Sequence, residues 1–225
     1  MKKKENVAFK CAFNDYGFSD KCSKKLCNYN WKNGSPWCKR QFKDKLGCYL
    51  GNDFHCMEKE LFKVYSFGAG SFHMGEKAGE KVSIKDVKVG KIAFLTTLKP
   101  LTDSEGNYIK NSEKNRYFFG LLDIAELREN PDSKKKNRYN AVIGNKDTSI
   151  IINPKVKVKF WDFYENDNAK NVNYKKNWWG CRRIRYLSDE QTLAILIKLK
   201  EEYLKKNLEQ SEIGKIQNLI TRFQR

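Results

Sequence analysis

Between residues 61 and 164 the chain is written in short apolar runs rich in β-branched and aromatic residues, with no ten-residue helical pattern between them. The runs are LFKVYSF (61–67), KIAFLTTL (91–98), RYFFGLLDI (116–124), TSIIINP (148–154) and KVKFWDFY (157–164), separated by Gly, Asn and Pro breaks. Such runs read as strands. A doubly wound parallel sheet needs a crossover helix between successive strands, so the pattern predicts an antiparallel sheet or small barrel. The stretch ENPDSKKKNRYN (129–140) is polar and basic, a surface loop on this reading.

After residue 187 the period changes. Ser188-Asp189-Glu190-Gln191 is a capping box, followed at helical spacing by Leu193, Leu196, Ile197 and Leu204. Ser211, then Ile213, Ile216, Leu219, Ile220 and Phe223, predicts a second amphipathic helix. The expected fold class is α+β, in three parts: a cysteine-rich module over 1–60, a β-barrel over 61–187, and a helical pair over 188–225 packed on the barrel.

Six of the seven cysteines lie in the first quarter of the chain, at Cys11, Cys22, Cys27, Cys38, Cys48 and Cys56. The start, MKKKENVAFK, has no apolar stretch after its basic patch, so it does not read as a secretory signal, and a cytoplasmic, reducing setting is expected. Clustered thiols there are more often metal ligands than disulfides. Cys11, Cys22, Cys27 and Cys38 supply four sulfurs in a segment too poor in aliphatics to build a core, which predicts one structural Zn2+. Cys48, His55 and Cys56 could replace one ligand or form part of a second site. With His55 and His73 the only histidines and no H-x-E…C-x-x-C pattern, a deaminase-type catalytic zinc is disfavoured.

The net charge is +18, from 45 Lys+Arg against 27 Asp+Glu. Lysine supplies 36 of the cations and the chain also holds 21 Asn, a pairing that an A/T-rich genome produces without selection on charge. The charge is nevertheless uneven: +6 over 1–60, +11 over 61–187 and +1 over 188–225. A basic excess confined to the first two parts points to a polyanion, with nucleic acid the expected partner and DNA favoured over RNA. No apolar run of membrane-spanning length exists and the lysines are not gathered on one amphipathic helix, so no membrane partner is expected.

Aromatic rings sharpen this. Trp161, Tyr164, Tyr174, Trp178 and Trp179 fall within twenty residues, interleaved with Lys159, Lys170, Lys175 and Lys176 and followed by Arg182, Arg183 and Arg185. Flat rings beside cations suit a nucleobase and its phosphates, because the base stacks while the phosphate is neutralised. Trp178 and Trp179 sit in the polar stretch NVNYKKNWWG and are the stacking candidates, whereas Trp161 reads as core. The glycine-rich GAGSFHMGEKAG (68–79) lacks the third glycine of a dinucleotide fingerprint; it reads instead as a loop that presents Phe72 and His73 to a ligand.

No nucleophilic triad, Walker loop or H-E-x-x-H is present. A metal-dependent nuclease would need an acidic pair beside a lysine; Asp86-Val87-Lys88, with Glu76 and Glu80 upstream, is the available set, and in a chain so rich in lysine its specificity is low.

Three segments carry a family resemblance: Lys63-Val64-Tyr65-Ser66 leading into the glycine-rich loop, Val89-Gly90-Lys91-Ile92-Ala93-Phe94-Leu95-Thr96-Thr97, and Phe119-Gly120-Leu121-Leu122-Asp123-Ile124. Through them residues 61–187 resemble the PUA superfamily, in particular its EVE, YTH and ASCH branches. Lysine replaces the usual acid after Gly90, and the loop offers only Phe67 and Phe72 where YTH domains carry a cage tryptophan. The resemblance implies a small barrel that reads a modified or flipped base in an aromatic pocket, a domain type found in modification-dependent restriction or defence systems, where an effector subunit supplies catalysis. The expectation is therefore a binding module rather than an enzyme. The rival is a metal-dependent nuclease or an ASCH-like hydrolase acting on RNA or a nucleoside, for which Lys91, Thr96 or Thr97, and Glu105 are the available set.

Overall fold

The computed structural model describes residues 3–18, 22–33, 61–70, 80–110, 115–129, 139–164, 179 and 184–225. In chain order the strands are β1 (Asn6–Cys11), β2 (Ser66–Gly68), β3 (Ile92–Thr97), β4 (Leu101–Thr102), β5 (Tyr108–Ile109), β6 (Tyr117–Glu129), β7 (Tyr139–Gly144), β8 (Ile150–Ile151) and β9 (Ile184–Leu187). The helices are α1 (Lys24–Lys32), α2 (Leu61–Val64), α3 (Asp189–Lys205) and α4 (Gln210–Phe223). One sheet runs β2-β7-β6-β3-β1-β9, with β8 also on β6, and β4 pairs with β5 in a separate hairpin. Among the described residues only β1 and β3 pair in parallel, and the other ladders are antiparallel. The fold is thus α+β around a mostly antiparallel sheet.

The central strands explain the layering. All six residues of β3 are buried, as are five of the six in β1, so both faces of this pair are covered. Strand alternation divides them. Ala8, Ile92 and Phe94 join Phe118, Leu121, Leu196, Leu199, Tyr203 and Ile216 in one core beneath α3 and α4. Val7, Phe9, Ala93 and Leu95 face the other way, onto Phe62 of α2, Phe67 of β2 and Ile84.

The helical pair follows its sequence signals. The Gln191 N–H donates to Ser188 Oγ (3.3 Å) and the Ser188 N–H to Gln191 Oε1 (3.0 Å), completing the capping box. The second helix opens one residue earlier than read, at Gln210, after Glu209. Its far end is tied to the sheet by Arg222, whose guanidinium donates to both oxygens of the nearly buried Asp123 at 2.7 and 3.1 Å.

Several expectations are corrected. The sheet is not a closed barrel: among the described residues its end strands β2 and β9 do not pair, and its faces are covered by helices and loops instead. The thirteen-residue β6 pairs with β3 from Tyr117 to Asp123 and with β7 from Ile124 to Glu129, and β8 pairs with it at Gly120 and Leu121. Residues 1–60 are not set apart from the sheet either, because Asn6–Cys11 lies between β3 and β9. Three of the short runs are only partly strand, and 148–154 contributes just Ile150–Ile151. Residues 61–64 are helical, with Tyr65 at φ +48° turning the chain into β2. Residues 157–164 make one bridge, Lys159 to Tyr117, and then a 3-10 turn over Phe160–Asp162 that packs aromatic rings on the core.

Where β7 turns toward β8, a Cβ on Gly144 would meet Ser149 Oγ at 2.7 Å and Leu122 Cβ at 2.9 Å. Neither neighbour is the tip of a flexible chain, and Ser149 Oγ already accepts the Asp123 N–H. We expect Gly144→Ala to lower stability by about 1–3 kcal/mol, seen as a lower urea midpoint at unchanged slope.

Candidate nucleic-acid interface

At the end of the sheet where β1 and β3 finish and β6 begins there is a cleft of about 600 Å³. One wall is the turn after β1. Asn14 Oδ1 accepts the backbone N–H groups of Tyr16 (2.8 Å) and Phe18 (3.3 Å), folding a turn in which Gly17 and Phe18 both adopt positive φ. A non-glycine residue in that region is strained. Phe18 is held there by stacking on Phe119, with centroids 3.7 Å apart and planes 11° from parallel.

The same turn is tied to the β4/β5 hairpin. Asp15 accepts the Ser23 N–H (2.8 Å), the Ser23 hydroxyl and the Tyr108 hydroxyl (2.9 Å), and Ser23 in turn caps α1 by accepting the Leu26 N–H. Burial, helped by the Asp15 bond, pushes the Tyr108 hydroxyl up to about 12, so it stays a donor across the neutral range. Tyr108 is thereby fixed beside Phe13 (6.2 Å between centroids) at the cleft. Tyr117, half-buried, and Phe119 continue the aromatic lining from β6.

Cations rim the cleft. Lys99 extends over Phe13, its Nζ 5.9 Å from the ring centroid. On the opposite side residues 155–160 alternate strictly: Lys155, Lys157 and Lys159 are exposed while Val156, Val158 and Phe160 are buried. The segment is anchored against the start of β6 by the Phe118 N–H to the Val158 carbonyl and the Phe160 N–H to the Arg116 carbonyl. Anchoring sets three ammonium groups in a row, with Lys157 lining the cleft itself. Aromatic faces beside a row of cations are the elements of a site that stacks a base and neutralises its phosphates.

Of the residues read from sequence as binding, Phe72, His73, Lys175, Lys176, Trp178, Arg182 and Arg183 lie outside the described residues. Trp179 is described and is 5% exposed, packed on Phe160 (4.6 Å) and Trp161 (5.9 Å), with the guanidinium carbons of Arg116 and Arg185 5.1 and 5.4 Å from its ring centre. Burial makes it part of the scaffold under the sheet end rather than a solvent-facing stacking platform. Phe13, Tyr108, Tyr117, Lys99 and Lys157 escaped the sequence reading. The K-V-K-V-K-F alternation over 155–160 is the one signal that points to them; the rest are assembled only by folding.

The rival catalytic set is not assembled. Lys91 binds Asp189 at 2.7 and 2.9 Å and reaches Glu5 at 3.6 Å, at the opposite end of β3 from Thr97, roughly 20 Å along the strand. Thr96 and Thr97 donate to the Phe9 and Cys11 carbonyls, and Glu105 is exposed on the β4/β5 turn.

For zinc, Cys11, Cys22 and Cys27 are described and Cys38, Cys48, His55 and Cys56 are not. Cys11 lies in the core cluster with Phe9 and Phe18, Cys22 and Cys27 in a separate one around Leu26, and Cys27 is disulfide-bonded. No group of three or more His, Cys, Asp or Glu able to hold a metal occurs among the described residues. Among the described residues no helix is long and apolar enough to cross a membrane.

No family model, curated protein or solved structure matches the chain.

Because Trp179 is a core ring, Trp179→Ala should cost about 3–5 kcal/mol of stability in urea unfolding. A loss under 1 kcal/mol would show that the ring is dispensable to the fold.

Proposed function

We propose that this protein binds nucleic acid and recognises a modified or flipped base in the cleft between the Asn14–Phe18 turn and the start of β6. The observation that carries the reading is the juxtaposition in that cleft of Phe13, Tyr108 and Tyr117 with Lys99 and the exposed row Lys155, Lys157 and Lys159. The basic excess of the chain outside its C-terminal helices supports a polyanionic partner, DNA before RNA, and Lys91 and Thr96 of the hydrolase set are engaged with Asp189 and the Phe9 carbonyl. On this reading the chemistry is recognition, and an effector subunit of a modification-dependent restriction or defence system supplies catalysis.

A PUA-like relationship for residues 61–187 belongs to the same proposal. What supports it is the pairing of β3 with β6, the two strands whose motifs carry the resemblance; the open sheet weighs against a closed-barrel member. A structural zinc at Cys11, Cys22, Cys27 and Cys38 rests on the sulfur count, and it requires Cys27 to be reduced. Elemental analysis of protein purified under reductant should then give one zinc per chain; no metal in a folded sample removes it.

Binding should be measured by fluorescence anisotropy with plain and modified duplexes and single strands. We expect affinity to fall roughly 10³-fold or more between about 50 and 200 mM salt, the response of about six phosphate contacts. Tyr117→Ala should weaken binding by about 1–3 kcal/mol, and restoring a flat face with Phe should recover most of it. Binding indifferent to both salt and Tyr117→Ala would overturn the proposal.

A further inference from the structure

The lysine row beside the cleft and the ring of Tyr117 share one surface. Lys159 and Tyr117 form an antiparallel bridge, and residues opposite one another in such a pair put their side chains on the same face, with Cβ atoms about 5 Å apart. Tyr117 lines the cleft and so does Lys157, which is exposed like Lys159 while Val158 between them is buried. Two residues of extended chain space Lys157 from Lys159 by about 6.6 Å, similar to the distance between adjacent phosphates on one strand. Lys155 continues the row from the turn that the Val156 N–H closes on the Asn153 carbonyl.

These cations are unpaired. Among the described residues none of the three takes part in an ion pair, whereas Lys198 on the exposed face of α3 is held by Glu201 at 3.3 Å and Glu202 at 3.6 Å. Asp15 is the one acid in the cleft lining among the described residues, and its oxygens already accept Ser23 and Tyr108. The lining also shows apolar surface to solvent, because Leu101 and Ile151 are 45% and 46% exposed.

Orientation decides which nucleic acid suits this surface. In a duplex the bases face the partner strand, so a backbone lying on the lysine row would turn its bases away from Tyr117. A single strand has no such constraint: its phosphates follow the lysines while its bases rotate onto the adjacent rings. The cleft volume of about 600 Å³ is that of a site for a drug-sized molecule, larger than one base needs. Leu101 and Ile151 extend the flat apolar lining beyond the aromatic faces, which suits neighbouring bases more than one extruded nucleotide.

We propose that the occupant of the cleft is a single strand of nucleic acid, with successive phosphates on Lys155, Lys157 and Lys159 and more than one neighbouring base turned into the lining. This rests on the nucleic-acid reading above and narrows it, since the recognised base is then presented by a single strand rather than drawn out of a duplex.

The test is fluorescence anisotropy on the full chain with a short thymidine strand, a uridine strand, an abasic strand and a duplex, all of one length. The better of the thymidine and uridine strands, which separates DNA from RNA as the source, should bind roughly tenfold or more tighter than the abasic strand or the duplex, the ratio expected from one further stacked base. Its log–log salt slope should become shallower by about 0.7 in each of Lys155→Gln, Lys157→Gln and Lys159→Gln, and by about 2 in the triple variant. Lys198→Gln should leave the slope unchanged. All four positions are exposed, so melting midpoints should match the parent. Duplex or abasic strand bound as tightly as the thymidine and uridine strands, or a triple variant with the parent slope, overturns the proposal. Binding of a modified duplex alone, still lost in Tyr117→Ala, overturns it while leaving the cleft reading intact. No binding to any probe overturns both.

Discussion

The parallel pairing of β1 with β3 is the interaction on which the rest of the molecule depends. It brings a strand from the N-terminus into the middle of the sheet and leaves both of its faces to be covered, one by α3 and α4 and the other by α2, β2 and Ile84. The register is held by the buried Asn6, whose side chain accepts the Ile92 N–H at 2.9 Å and donates to Asp189 Oδ1 at 2.8 Å. One amide thus ties together the start of β1, the start of β3 and the first turn of α3, where the charge of Asp189 also favours the helix N-terminus. Lys91 closes the same knot through Asp189.

The opposite end of the β1/β3 pair is where chemistry is gathered. Because the two strands run the same way, the turn after β1 and the connection after β3 leave the sheet side by side. That places Phe13 and the Asn14–Phe18 turn next to Lys99 and, through the β4/β5 hairpin, next to Tyr108. The strained Gly17–Phe18 backbone is held by Asn14 and by the Phe18–Phe119 stack, so the wall of the cleft is braced by the sheet. Just before β6, the buried Arg116 packs its guanidinium carbon 5.1 Å from the centre of the Trp179 ring.

What could be read from sequence follows the range of the interactions involved. The α3 capping box, the amphipathic faces of α3 and α4, and the strands β3 and β6 are set by neighbours a few residues apart, and periodicity shows them. Placing β1 required contacts across more than eighty residues, and the alternation in NVAFKC was hidden by the cysteines around it. The same distance explains the site. Trp179 looked like a solvent-facing ring because its sequence neighbours are polar, yet Phe160 and Trp161 cover it from another part of the chain. Phe13, Tyr108 and Tyr117 looked unremarkable singly and become a cleft only through β1/β3 pairing.

The most direct measurement is a two-dimensional amide NMR titration of the full chain with a short oligonucleotide. The account predicts that the largest saturable shifts fall on Phe13, Lys99, Tyr108, Tyr117 and Lys157, with the exposed faces of α3 and α4 unmoved. Shifts confined to those helices, or none at all, would contradict it.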